Sequence, residues 1–213
     1  MTKSNVRLFQ NCIISLILSF TIILFAIEIT LIFKGLYYFD IIHLNIEKTS
    51  GLNKTQIILI YNHILNFINS NENKTFTLPI LPYSIKAQLH FIEVRNIFLY
   101  IRKLLFIFTL FSMLSMNYII HTYSILNSSS NLLLSICTLI FLILFLNFDT
   151  IFTLFHKIVF PNTYWLFDPN KDPIITIFPE RFFLHCAILI VSIIVVIALI
   201  LKVLYYSKVK YHK

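Results

Sequence analysis

Four apolar runs, Leu8 to Ile27, Leu104 to Ile120, Leu132 to Phe148 and Phe182 to Leu201, carry no charged residue. Each is close to the ~20 residues that a helix needs to cross about 30 Å of hydrocarbon. A lipid interior offers backbone groups no water, so runs of this kind have to be helices. All six prolines and both glycines fall outside them. With 58% hydrophobic and 12% charged residues in 213, the composition is that of an integral membrane protein and excludes a soluble globular domain. The first run has no small-residue cleavage site and continues through Glu28 to Phe33, so it reads as a span and not as a cleaved signal peptide.

Charge placement gives the expected orientation. Lys3 and Arg7 precede the first run, and Lys202, Lys208, Lys210 and Lys213 follow the fourth, which makes both termini cytoplasmic under the positive-inside rule. The net charge of +8 is explained by the membrane surface, and no nucleic-acid partner is expected. The chain is then a single integral membrane domain over 1–213, with spans at about 8–33, 97–120, 131–152 and 182–203 and an extracellular cap from 34–96 and 153–181.

Within the cap, Leu36 to Ile46 and Thr75 to Ile80 are rich in aromatic and β-branched residues and read as strands. Thr55 to Asn69 repeats apolar residues at helical spacing and reads as an amphipathic helix. The expected fold class is therefore an all-α membrane protein, four transmembrane helices with a small extracellular α+β cap. Asn127 to Asn131, NSSSN, reads as a helix stop followed by a cap for the next span. Arg102 and Lys103 are expected to snorkel toward headgroups. Cys12, Cys137 and Cys186 all fall inside spans and read as small packing residues.

The segment from Asp149 to Phe183 differs from the runs around it. It holds four of the nine acids (Asp149, Asp168, Asp172, Glu180), four prolines, His156 and the only tryptophan, Trp165. Charged groups at membrane depth are costly and tend to be functional. His90 and His156 are each expected at the outer end of a span, at similar depth, where a pair of imidazoles can give and take protons near neutral pH. Glu93, Asp149, Asp168 and Asp172 can either orient a ring nitrogen or bond the backbone of the cap. A metal site would use the same residues, since His90 and Glu93 have i, i+3 spacing, but there is no second such pair and no HExxH or CxxC. No GxSxG elbow or glycine-rich phosphate loop is present.

Tyr83-Ser84, His90-Phe91-Ile92-Glu93-Val94-Arg95, Phe155-His156, Trp165-Leu166-Phe167-Asp168-Pro169 with Asp172, and Phe178-Pro179-Glu180 with Phe182-Phe183 resemble the bacterial lipoprotein intramolecular transacylase family. The chain departs from that family's pattern at Ala87 and near Thr163, where the family carries acids, and at Glu93, where it carries aspartate. The resemblance implies an acyltransferase of the bacterial plasma membrane that acts on diacylglyceryl-modified lipoproteins without a cofactor. It would move the sn-2 acyl chain to the α-amine of the N-terminal cysteine and leave a lyso-form. It also implies His90 and His156 as catalytic residues, with Glu93, Arg95, Tyr164, Trp165, Asp168, Asp172 and Glu180 binding substrate or orienting the pair. Two other readings stay open: a different lipid-ester acyltransferase or hydrolase using the same histidines, and a non-enzymatic capped bundle.

Overall fold

The computed structural model describes residues 3–71 and 75–211; Lys213 of the basic C-terminal tail lies outside them. Nine α-helices and one short 3-10 turn make up the described secondary structure: α1 Lys3–Ile32, α2 Lys34–His43, α3 Ile46–Ser50, α4 Lys54–Asn69, α5 Ile85–Leu114, α6 Met116–His121, α7 Ser124–Leu146, α8 Phe148–Val159 and α9 Glu180–Tyr211, with the 3-10 turn at Pro173–Thr176. Four of them, α1, α5, α7 and α9, are long and apolar enough to cross a membrane. At 1.5 Å per residue, the 30 residues of α5 extend about 45 Å, well beyond a hydrocarbon core. The chain divides into two compact units, one formed by 1–29, 102–145 and 188–213, the other by 30–101 and 146–187.

The first unit packs α1, α7 and α9 through Ile22, Ala26, Leu133, Cys137, Ile194 and Ala198. The expected helix stop at NSSSN is corrected here, because α7 runs straight through it. Ser129 and Ser130 are fully buried and donate to the carbonyls of Ser15 (3.2 Å) and Ala198 (2.8 Å). Asn127 and Asn131 both accept from the Lys202 ammonium, the former at 2.7 Å. Small polar residues in a membrane helix can hydrogen-bond across to neighbouring helices instead of ending their own. Arg102 likewise does more than snorkel, since its Nε donates to Glu28 Oε2 at 3.1 Å.

The second unit has its own core, built from Tyr37 and Ile41 of α2, Ile46 of α3, one face of α4, Phe76, Leu78, Phe91, Ile174, Ile177 and Phe182. There is no strand among the described residues, so the expected α+β cap is corrected to an all-helical one. Leu36 to His43 lies in α2, whose buried positions are Tyr37, Asp40 and Ile41, an i, i+3, i+4 pattern that belongs to a helix face, and β-propensity gave way to that burial. Thr75 to Ile80 stays irregular, ending in Ile80 at φ 70° after Pro79, a conformation no ladder accepts. The amphipathic helix is present as α4, opened by a capping box in which Asn53 accepts from Gln56 N–H and the Gln56 side chain accepts from Asn53 N–H. Tyr37 ties the core together by stacking on Tyr61 at 3.9 Å and donating to the Ile177 carbonyl at 2.7 Å. Asp40, also fully buried, accepts from His185 Nδ1 at 2.7 Å.

Candidate active site

α5 positions His90, and its start is fixed by a three-member cap. The Ser84 hydroxyl accepts from Ala87 N–H (3.1 Å) and donates to Asp172 Oδ2 (2.9 Å), while Asp172 Oδ1 accepts Ser84 N–H (2.6 Å). A carboxylate on orphan N–H groups at a helix N-terminus is favourable both as a hydrogen bond and against the macrodipole. Asp172, only 4% exposed, therefore serves the helix that carries His90. His156 reaches the site on a separate helix. α7 ends at Leu146 and α8 starts at Phe148, with the Asn147 side chain accepting Thr150 N–H at 3.1 Å as a new N-cap. Pro161 then stands just beyond the end of α8.

The two imidazoles lie 6.2 Å apart, centroid to centroid, at an interplanar angle of 38°. Phe160 touches both, at 4.6 Å from His90 and 5.7 Å from His156. Phe167 packs edge-on to His90 at 5.5 Å, while Phe152 and Trp165 lie 4.2 and 5.0 Å from His156. His156 Nδ1 is 2.7 Å from the Phe152 carbonyl. A carbonyl oxygen only accepts, so Nδ1 carries the hydrogen and Nε2 keeps its lone pair. Burial among these rings lowers the His156 pKa below the ordinary imidazole value, with the Phe152 hydrogen bond pulling more weakly the other way. His90 is buried, and its Nδ1 has no hydrogen-bond partner among the described residues. Glu93 Oε2 lies 3.9 Å from it, too far for a hydrogen bond.

Protonation of His156 has a built-in reporter, because Trp165 is the single tryptophan and an imidazolium quenches indole emission more than a neutral imidazole does. A lowered pKa means that the ring is neutral above its midpoint and charged below it. Trp165 emission is thus expected to rise with pH through a single step whose midpoint lies below ~6.5. A step at or above that value, in titrations of the detergent-solubilised protein, would contradict the burial argument.

The other sequence-predicted residues take different places. Glu93 joins the His90 side of the site and accepts from Asn162 Nδ2 at 2.7 Å. Trp165 lies beside His156 with its ring tilted by 34°, and Tyr164 donates its backbone N–H to Asn162 Oδ1 at 2.9 Å. Arg95 is buried with its guanidinium 5.1 Å above the Phe67 ring. Asp168 is exposed, holding the turn by accepting Asn170 N–H at 3.0 Å. Glu180 opens α9, where a carboxylate suits the helix N-terminus. Among the described residues no three His, Cys, Asp or Glu side chains come close enough to hold a metal ion. Sequence reasoning missed Asn162; its one local signal is its place directly after a helix-ending proline, where Asn favours an Asx turn.

With four helices of membrane length and a match to a transacylase family, this chain falls in a class, the membrane-integral acyltransferases. The model of the lipoprotein intramolecular transacylase Lit family matches residues 12–183, and the chain belongs to that family. Its reaction is acyl transfer within a lipoprotein. The structure of the membrane-integral lipoprotein intramolecular transacylase Lit from Bacillus cereus is similar at TM-score 0.89 and 30% identity, covering 96% of this chain and 98% of that one. Two variants of the Bacillus cereus protein, with one histidine replaced by arginine or by alanine, are similar at TM-score 0.84 and 30% and 29% identity; each covers 99% of this chain, with 98% and 99% of theirs covered. No curated protein sequence matches the chain.

Proposed function

We propose that this chain moves the sn-2 acyl chain of an S-diacylglyceryl cysteine to the α-amine of that cysteine, with His156 as base and His90 as its acid or oxyanion partner. The observation that carries this reading is the facing pair of imidazoles, in which the Phe152 carbonyl leaves His156 Nε2 free to accept a proton. An α-amine of pKa ~7.7–8.0 is mostly protonated at pH 7 and has to lose a proton to attack the ester carbonyl. His156 Nε2 takes it as the C–N bond forms. His90 bonds the developing oxyanion, or protonates the glyceryl oxygen as the C–O bond breaks. One proton leaves nitrogen and one arrives at oxygen, so an ester becomes an amide without ATP or acyl-CoA, and no cofactor is required. Closing a medium-sized ring within one lipid-bearing peptide is entropically costly, and the aromatic cluster around the two histidines supplies a surface on which the acyl chain and glyceryl group can fold.

The basic residues Lys202, Lys208 and Lys210 in the last turns of α9 and Arg7 near the start of α1 support a cytoplasmic position for both termini. His90 stands near the N-terminal end of α5 and the Leu104 to Ile120 apolar run lies further on, so the site belongs at the outer leaflet, where it meets diacylglyceryl lipoproteins and membrane lipids. The test is mass spectrometry of a reporter lipoprotein's N-terminal peptide, from a host without other N-acylating enzymes, with and without this protein. An acyl chain that stays on glycerol beside a free amine in both samples would overturn the reading. An acyl chain on the amine that carries the label of an added phospholipid would instead make the enzyme an intermolecular transferase.

A further inference from the structure

We infer that Asn162 is a positioning residue that holds Glu93 toward His90 through its side chain and Trp165 against His156 through its backbone carbonyl, so that one residue sets the geometry of both imidazoles. This rests on the acyl-transfer reading above. Asn162 makes three contacts, each with a different task. Its Nδ2 donates to Glu93 Oε1 at 2.7 Å, which occupies that oxygen. The other oxygen, Oε2, is buried and lies 3.9 Å from His90 Nδ1, and among the described residues neither atom has a hydrogen-bond partner. Asn162 Oδ1 accepts Tyr164 N–H at 2.9 Å, and its backbone carbonyl accepts Trp165 Nε1–H at 2.9 Å. The indole so held lies 5.0 Å from His156.

The empty 3.9 Å between Glu93 and His90 is the point of the arrangement. A carboxylate in hydrogen-bond contact would already have spent its interaction in the resting state. At this separation it is engaged once His90 takes up a proton and the two side chains close, which holds the ring charged for its part as acid or oxyanion partner. Asn162 makes this directional, because a carboxylate fixed at Oε1 has only Oε2 to turn toward the ring. His156 needs no such partner, since its Nδ1 is already satisfied by Phe152.

Asn162→Asp is isosteric and keeps the acceptor for Tyr164 and the backbone carbonyl for Trp165, while removing the donor to Glu93. A hydrogen bond to a charged group predicts a fall in kcat of about 10- to 100-fold with KM nearly unchanged. The added carboxylate favours a charged His90, and an acid has to be protonated to act, so the alkaline limb of the kcat profile is expected to move to higher pH. Trp165 emission and its pH step are expected to stay where they are in the parent protein. Because Asn162 acts through Glu93, Asn162→Asp placed on Glu93→Gln is expected to add nothing to the loss of Glu93→Gln alone. Parental kcat and pH limb in Asn162→Asp would overturn the inference, as would full additivity of the two substitutions. If Asn162→Asp instead shifts Trp165 emission and lowers melting temperature without moving the limb, Asn162 is structural only and the inference falls. Absence of acyl transfer in the parent protein is a separate result, and it would overturn the functional reading.

Discussion

His156→Gln is expected to lower the acyl-transfer rate by about 10²–10⁴-fold, the span that general acid–base catalysis commonly supplies. Glutamine fills much of the same space and can still hydrogen-bond the Phe152 carbonyl, so the cage of Phe152, Phe160 and Trp165 has little reason to collapse. What is lost is the Nε2 lone pair. KM should change little, and the N-terminal peptide of the reporter should remain O-acylated with a free amine. The same variant must also lose the pH step in Trp165 emission, which links the catalytic defect to the group titrated. His90→Gln is expected to fall within the same range, and the double variant to be little worse than either, because acid and base act as a unit. A His156→Gln enzyme within threefold of the parent at pH 7 would remove this ring from the proton path.

The largest expected effect on stability lies elsewhere in the same unit. Asp40 has no exposure, its Oδ1 accepts from His185 Nδ1 at 2.7 Å, and its Oδ2 has no hydrogen-bond partner among the described residues. His185→Leu would leave that carboxylate buried and uncompensated, at a cost of about 3–5 kcal/mol. For a protein of this size that is a fall in Tm of about 10 °C in detergent melts. Replacing both residues by leucine should recover more than half of the loss, because the penalty comes from breaking the pair and not from lacking it. A His185→Leu variant that melts within 2 °C of the parent would show that the pair carries no such energy.

The two histidines are separated by 66 positions in the chain, and the sequence placed both of them in apolar surroundings near acids, which is enough to nominate a pair. It could not distinguish them. The difference arises because α8 is a helix of its own, whose i−4 carbonyl at Phe152 meets His156, while His90 faces a carboxylate on its own helix turn. Asp168 and Asp172 looked alike in sequence, yet one holds an exposed turn and the other is buried against Ser84, 88 positions away. The misread strand at Leu36 to Ile46 has the same origin: aromatic and β-branched residues suit a sheet, and only the burial of Tyr37, Asp40 and Ile41 on one face shows the period of a helix.

By itself the sequence determined the four membrane-length helices, the amphipathic α4 and the family. Long uncharged runs have one structural solution in lipid, helical periodicity is a local signal, and short clusters of functional residues are readable in order. The tertiary structure alone decided the serine contacts along α7, the Asp40–His185 pair across 145 positions, and Asn162 between Glu93 and Trp165. Each of those depends on where a distant backbone or side chain arrives, and a polar group can take its partner only once packing has brought that partner within about 3 Å.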